Sequence, residues 1–322
     1  MAGFHWWVHM KRYVGLVLLL LAGSCGCSDP AGPITQEKTT GGKASETEEV
    51  LRVVATFSVL GDWLREIGGD AVEVTTLVGP GSDAHTYEPT PADGAAVAES
   101  SVVFEVGLGF ESWLESFVES SHPSVARVVV TRKLKGRVLD ESVEHQELDP
   151  HVWHDPALVI SMVQEIETAL ISKMPHRADE FRLRASNYVT RLKELDQSIK
   201  DLVALIPEDR RRLVTTHDTF GYFAERYGFR VSSILGSVSS EVSDPSAAEL
   251  AVLIDEIRRE RVAAIFTENI LSPELTQQVA AEAGTRVVTG LYTDALGPPG
   301  SSGDTYLGMM ESNISLIAEA LR

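Results

Sequence analysis

The chain contains almost no cysteine. Among its 322 residues only Cys25 and Cys27 carry thiols, and both lie close to the N-terminus. A bridge across one intervening residue would be strained, because a disulfide requires a particular separation of its two Cα atoms. The sequence therefore excludes a disulfide-stabilised fold for residues 28–322.

Basic residues are also scarce. Lys and Arg together number 28 against 47 Asp and Glu, which gives a formal net charge of −19. Because such a chain repels a phosphate backbone, no nucleic-acid partner is expected. The charge is compatible with binding a cation, although solubility explains most of the carboxylates equally well.

The N-terminus lacks an apolar run long enough to span a bilayer permanently, since residues 14–21 are too few. Basic residues precede this run and small residues follow it, which is the order of a secretory signal, predicted for residues 1–24. The junction resembles a bacterial lipobox. Cys25 is the predicted lipidation site and Cys27 is the alternative, so the mature protein is predicted to be extracytoplasmic and lipid-anchored.

Residues 28–50 contain almost no large apolar side chain and are rich in Gly, Pro, Ser, Thr, Lys and Glu. Such a composition cannot bury enough surface to offset the entropy lost on ordering. We predict that residues 25–50 form a lipid-anchored flexible tether, which keeps a folded body near a membrane while letting it move.

Beyond the tether, β-branched runs alternate with amphipathic segments, the pattern of parallel α/β structure. The pattern predicts an N-terminal lobe over residues 51–174 and a C-terminal lobe over residues 208–322. Each lobe is predicted to hold a central, mostly parallel four-stranded sheet flanked by helices. The predicted strands are residues 51–57, 72–78, 102–106 and 127–131 in the first lobe and 212–215, 230–235, 262–267 and 286–289 in the second.

Residues 175–207 separate the two lobes. Apolar residues recur there at helical spacing from Phe181 to Ile206, with charged residues between them. A helix of this length would extend on the order of 45 Å, enough to join the lobes as a stiff hinge. An ordinary core helix of one domain is the alternative.

Four side chains with metal-ligand chemistry stand at comparable places in this pattern: His85, His151, His217 and Asp294. Three follow predicted strands, and in open α/β sheets ligands bind outside the carboxyl ends of the strands. The fourth, His151, precedes a predicted helix start at Asp155. Each histidine alone is more simply a solvated surface residue, but two candidate ligands from each lobe would enclose one small cation.

Several dispersed motifs make the chain similar to the zinc- or manganese-binding substrate-binding lipoproteins of bacterial ABC transporters. The similarity covers essentially the whole chain after the tether. It is carried by residues 57–62 (FSVLGD), 77–81 (LVGPG), 85–90 (HTYEPT), 107–109 (GLG), 149–153 (DPHVW), 216–223 (THDTFGYF) and 293–297 (TDALG).

The resemblance implies that His85, His151 and His217 are imidazole ligands and that Asp294 is the carboxylate ligand. It implies two α/β lobes joined by one long helix, a monomer, and delivery of the metal to a membrane permease with a cytoplasmic ATPase. It also implies no enzymatic activity. A zinc-dependent hydrolase and a metal-stabilised surface adhesin are the alternatives.

The chain departs from many zinc-specific relatives, which carry a long loop rich in His and acidic residues before the second ligand. The corresponding loop here is short, residues 140–147, and we interpret its His145 as a solvated residue. His154 is likewise expected at the surface. Glu268 ends a predicted strand and either accepts a hydrogen bond from a ligand histidine or is a plain strand-end or cap carboxylate. Asp218 is expected to cap the next helix.

The donor set indicates the metal. Three neutral imidazoles and one carboxylate complete a tetrahedral shell for Zn²⁺, whereas Mn²⁺ prefers shells richer in oxygen. The sequence therefore favours zinc as the bound cargo, with manganese second. If Asp294 binds through both oxygens, the coordination number rises and this preference narrows.

Overall fold

The computed structural model describes residues 50–138, 148–235 and 245–322. The predicted signal peptide, the tether up to residue 49 and both cysteines lie outside the described residues. So does His145. Within the described residues, no helix has the length and apolar character needed to cross a membrane.

The first half of the fold is built on a four-stranded parallel sheet with the order β2-β1-β3-β4. Helices connect these strands, and β1 and β3 are buried almost throughout, as expected for a parallel sheet covered on both faces. The elements are β1 (Leu51–Phe57), α1 (Ser58–Gly68), β2 (Val72–Val78), α2 (Pro91–Glu99), β3 (Val102–Glu105), α3 (Leu114–Ser121) and β4 (Ala126–Val129).

A short antiparallel pair leads out of this half: β5 (Arg137–Val138) and β6 (Leu148–Asp149). A 3-10 turn at Val152–His154 and the helix α4 (Pro156–Lys173) follow. The predicted start of α4 is confirmed, because the Asp155 side chain accepts a hydrogen bond from the backbone N–H of Ala157.

The second half contains two parallel strand pairs, with β7 lying against β9. The sequence predicted one four-stranded sheet here, and the described strands instead pair two by two. The elements are β7 (Arg212–Thr215), α6 (Gly221–Tyr227), β8 (Arg230–Ser233), α7 (Ala247–Glu260), β9 (Ala264–Glu268), α8 (Glu274–Ala283), β10 (Arg286–Leu291) and α9 (Tyr306–Leu321).

The helix α5 (Ala178–Val203) lies between the two halves in the chain. Its 26 residues span about 39 Å at the usual rise per residue, slightly less than expected, because residues 175–177 form a separate 3-10 turn. The helix packs against α1 and α4, which precede it in the sequence, and against α9, which follows it. It therefore contacts both halves of the fold, whereas an ordinary core helix would pack within one half.

One hydrophobic cluster continues from the first half into the second. Trp63 stacks edge-on against Tyr306 with ring centroids 5.3 Å apart. The Tyr306 hydroxyl donates to the carbonyl of Trp153 over 2.7 Å, and the Trp153 indole N–H donates to the carbonyl of Thr293 over 2.9 Å. Aromatic packing thus fixes the strand ends of both halves relative to one another.

Candidate metal centre

Four side chains meet where strands of both halves end. His85 follows β2, His217 follows β7 and Asp294 follows β10. His151 lies between β6 and the 3-10 turn at Val152–His154. These are the four residues that the sequence put forward as ligands, and the fold brings all of them together.

The donor atoms of the four residues all lie within 4.8 Å of one another. The Nε2 atoms of His85 and His151 are 3.3 Å apart, and His217 Nε2 is 2.9 Å from Asp294 Oδ2. Four donors around a tetrahedral zinc at about 2.0–2.1 Å would be about 3.3 Å apart. The cluster therefore has the size and the donor chemistry of a transition-metal site.

Two polar atoms in this cluster are buried without a hydrogen-bond partner: His217 Nε2 and Asp294 Oδ2. The two atoms lie 2.9 Å apart and attract each other as an ion pair, but neither makes a hydrogen bond of good geometry. A buried polar atom left without a partner costs about 1–3 kcal/mol, so folded proteins rarely retain one without a reason. A cation bound between the two atoms would satisfy both.

His85 is presented by a turn-rich loop between β2 and α2. Its backbone N–H donates to Asp83 Oδ1 over 2.9 Å, and the Trp113 indole N–H donates to the Ala84 carbonyl over 3.0 Å. Burial lowers the pKa of His85 to about 4. The ring is therefore neutral near pH 7, as a metal ligand must be.

Asp149 orients His151, a role that was not predicted from the sequence. Its Oδ1 accepts hydrogen bonds from His151 Nδ1 (2.8 Å) and from the His151 backbone N–H (3.0 Å). Arg137 Nη1 donates to Asp149 Oδ2 over 3.0 Å. The contact of Nδ1 with Asp149 directs Nε2 at the cluster, the usual arrangement of a ligand histidine.

Glu268 orients the ring of His217, as Asp149 orients that of His151. Its Oε2 lies 2.5 Å from His217 Nδ1, and its Oε1 accepts the backbone N–H groups of Thr216 (2.8 Å) and His217 (3.0 Å). Burial lowers the pKa of His217, but the carboxylates of Glu268 and Asp294 outweigh it and hold that pKa well above its ordinary value. Of the two interpretations of Glu268, the structure has the hydrogen bond to the histidine.

Asp294 is fully buried in the short segment after β10. The Asn269 side chain braces this segment, accepting from the Thr293 backbone N–H (3.1 Å) and donating to the Ala295 carbonyl (3.0 Å). Burial raises the pKa of Asp294, but the surrounding histidines more than reverse this and hold it well below its usual range. The carboxylate is therefore ionised and ready to bind a cation.

The prediction that His154 lies at the surface is wrong. Its side chain is completely buried, stacked on Phe220 with ring centroids 4.4 Å apart. Its Nε2 lies 3.2 Å from Thr219 Oγ1, and burial lowers its pKa to about 3. The 3-10 turn at Val152–His154 turns this ring inward, and a single such turn leaves no periodic signal in the sequence. His154 is not one of the clustered donors.

The prediction that Asp218 caps the next helix is also wrong. The helix α6 begins at Gly221, the residue before it is Phe220, and no side chain caps this end. Asp218 is mostly buried instead, and its Oδ1 has no hydrogen-bond partner. Of the clustered residues, His217 lies in the segment between β7 and α6, and the helix begins after this segment, at Gly221.

A family model described as zinc-uptake complex component A, periplasmic (ZnuA), matches residues 53–320 of the chain. The chain belongs to this family. Its members are solute-binding proteins of transporters and not enzymes, which removes the hydrolase alternative.

Individual relatives agree with this assignment. The manganese-binding lipoprotein MntA of Halalkalibacterium halodurans is 33% identical over 309 residues, 96% of this chain and 97% of the relative. The iron-binding protein YfeA of Yersinia pestis is 28% identical over 275 residues, 85% of this chain and 88% of the relative. The periplasmic zinc binding protein TroA from Treponema pallidum superposes with a TM-score of 0.79 at 30% identity, covering 84% of this chain and 99% of that one. The structural similarity confirms the predicted α/β fold class.

The pKa shifts predict an uneven protonation of the metal-free cluster. At pH 7 His217 should carry both ring protons, because two carboxylates flank it, while buried His85 and His154 should stay neutral. Nitrogen-15 chemical shifts of the histidine rings, followed from pH 5 to 8, measure this directly. A His217 that titrates near the ordinary value of about 6.5 would contradict the described charge arrangement.

Proposed function

We propose that the chain is the extracytoplasmic receptor of a metal importer: it binds one divalent transition-metal ion at His85, His151, His217 and Asp294 and delivers it to the permease of an ABC transporter. The observation that carries the proposal is the convergence of four buried donors, two of them without a hydrogen-bond partner. A permease with a cytoplasmic ATPase is the expected partner, because the relatives include lipoproteins named as substrate-binding components of metal ABC transporters.

Capture requires that the cation displace protons. His85 is neutral near pH 7, whereas His217 holds a proton on the nitrogen that faces the cluster. Binding at His217 therefore releases a proton, and the bound cation takes over its charge interaction with Asp294. Asp149 and Glu268 keep the two rings aimed at the same point throughout.

Release of the cation follows from the division of the four donors between the two halves of the fold. His85 and His151 precede α5 in the chain, and His217 and Asp294 follow it. A small separation of the two halves would split a four-coordinate site into two weak pairs, so that docking on the permease can unload the cation without chemistry. Hydrogen bonds also join the halves beside the site: the backbone N–H of Gly81 donates to the Leu296 carbonyl (3.0 Å), and the backbone N–H of Leu296 donates to Ser58 Oγ (2.9 Å).

Zinc is the first candidate for the cargo and manganese the second. Three imidazole nitrogens with one carboxylate suit zinc, and zinc binds most nitrogen-containing sites more tightly than manganese. Manganese is favoured by the name of MntA, a relative at 33% identity, and by the position of Asp294. Both of its oxygens border the cluster, Oδ1 at 3.5 Å from His151 Nε2 and Oδ2 at 3.7 Å from His85 Nε2.

We further propose that the protein acts as a monomer held at the outer face of the cytoplasmic membrane or in the periplasm by a lipid on Cys25, with Cys27 as the alternative. A lobe arrangement of residues 51–174 and 208–322 around the helix at 175–207 is part of this proposal. The lipoprotein names of relatives matched over nearly the whole chain support the anchor.

Replacing His217 with Ala tests the site. Zinc affinity, measured by titration against a competing chelator, should fall by on the order of 100-fold or more, since loss of an outer hydrogen-bond partner alone typically costs 10–100-fold. His176→Ala is the matched control, because that histidine is exposed and outside the cluster. Unchanged affinity in a folded His217→Ala protein would refute the site.

Metal uptake by cells lacking the protein tests the cargo. With zinc and manganese supplied separately to metal-depleted cells, the deletion should reduce zinc accumulation, and expression of the chain should restore it. The His217→Ala variant serves as the inactive control. Restored manganese accumulation with no effect on zinc would replace zinc by manganese as the cargo, and no effect on either metal would refute the importer role.

A further inference from the structure

The two oxygens of Asp294 have different surroundings. Oδ2 has no hydrogen-bond partner and lies 2.9 Å from His217 Nε2. Oδ1 accepts a hydrogen bond from the Thr219 hydroxyl over 3.4 Å. Both oxygens border the cluster. They differ in that only Oδ1 accepts a hydrogen bond from a protein side chain.

Thr219 is held in place for this bond. It is completely buried in the segment between β7 and α6, and its Oγ1 lies 3.2 Å from His154 Nε2. The His154 ring is itself fixed by its stacking on Phe220 and by complete burial. The hydroxyl therefore sits between one ring nitrogen and one carboxylate oxygen, with no solvent to compete for it.

Only one arrangement of the protons along the series His154–Thr219–Asp294 gives Asp294 Oδ1 a hydrogen-bond donor. If Thr219 donates to Oδ1, then His154 donates its Nε2–H to Thr219, and His154 Nδ1 remains as a bare acceptor. His154 Nδ1 indeed has no partner. In the opposite arrangement that nitrogen would carry a buried proton with no acceptor, and unpaired buried donors are rarer than unpaired acceptors.

We propose that Thr219, supported by His154, determines metal specificity by engaging Oδ1 of Asp294 in a hydrogen bond, which leaves Oδ2 as the oxygen that binds the cargo. Asp294 then binds through Oδ2 alone, so the protein offers three imidazole nitrogens and one oxygen. This is a four-donor shell, which suits zinc, whereas a carboxylate bound through both oxygens would add the fifth donor that favours manganese. The inference rests on the proposed metal-binding function and concerns the selectivity of the same site.

Cobalt(II) substitution reports the coordination number, because its visible absorption is intense in tetrahedral sites and weaker in five-coordinate ones. The wild-type protein should give the tetrahedral spectrum. Thr219→Val replaces the hydroxyl by a methyl group of similar size and frees Oδ1. Its spectrum should move to the five-coordinate form, and the ratio of zinc to manganese affinity should fall about tenfold, or about 1.4 kcal/mol.

Three further variants make the test specific. Thr219→Ser keeps the hydroxyl and should behave as wild type. His154→Phe removes the support of the hydroxyl and should shift the spectrum and the affinity ratio in the same direction as Thr219→Val. Thr285→Val is the matched control, since its hydroxyl bonds to the Val262 carbonyl and it is not among the clustered residues.

The outcomes separate this inference from the function on which it rests. A five-coordinate spectrum in the wild type, or an unchanged spectrum and affinity ratio in Thr219→Val, would overturn the specificity role while leaving metal binding intact. Failure of the wild-type protein to bind cobalt, zinc or manganese would overturn the proposed function itself. A tetrahedral wild type with the shift in Thr219→Val supports the inference, and the same shift in His154→Phe supports the role of His154.

Discussion

The structure depends on placing one carboxylate against three imidazoles inside the protein. Asp294 is fully buried, and an ionised carboxylate there is stable only beside positive charge or strong hydrogen-bond donors. The proton on His217 supplies that charge in the metal-free protein, and a bound cation would supply it in the loaded one. Neither His217 Nε2 nor Asp294 Oδ2 makes a hydrogen bond of good geometry, and a cation bound there would contact both atoms.

The rest of the fold serves this arrangement. Parallel strands from both halves end at the cluster and their loops deliver three of the donors, while His151 comes from the segment between β6 and the 3-10 turn. Carboxylates behind the cluster, Asp149 and Glu268, fix two of the rings. The helix α5 and the aromatic contacts between Trp63 and Tyr306 join the halves, and this limits how far the donors can separate.

Much of this could be predicted from the sequence, because strand periodicity and turn-rich loops are local signals. The four clustered residues were put forward from their places after strands and before a helix start, and the family resemblance implied their roles as ligands. The strands β1, β2 and β7 have the predicted bounds. What failed depends on tertiary packing: His154 is turned inward by one short 3-10 turn, and Asp218 does not cap α6. Asp149 was missed as an orienting group, although the spacing Asp-x-His was visible in the sequence.

The central claim is that four protein donors enclose one cation. A crystal structure of the zinc-loaded protein, with anomalous diffraction collected at the zinc edge, tests it most directly. One anomalous peak is expected, at about 2.0–2.1 Å from the Nε2 atoms of His85, His151 and His217 and from Oδ2 of Asp294. A peak elsewhere, or a zinc ion that lacks one of these donors and holds a water molecule in its place, would contradict it.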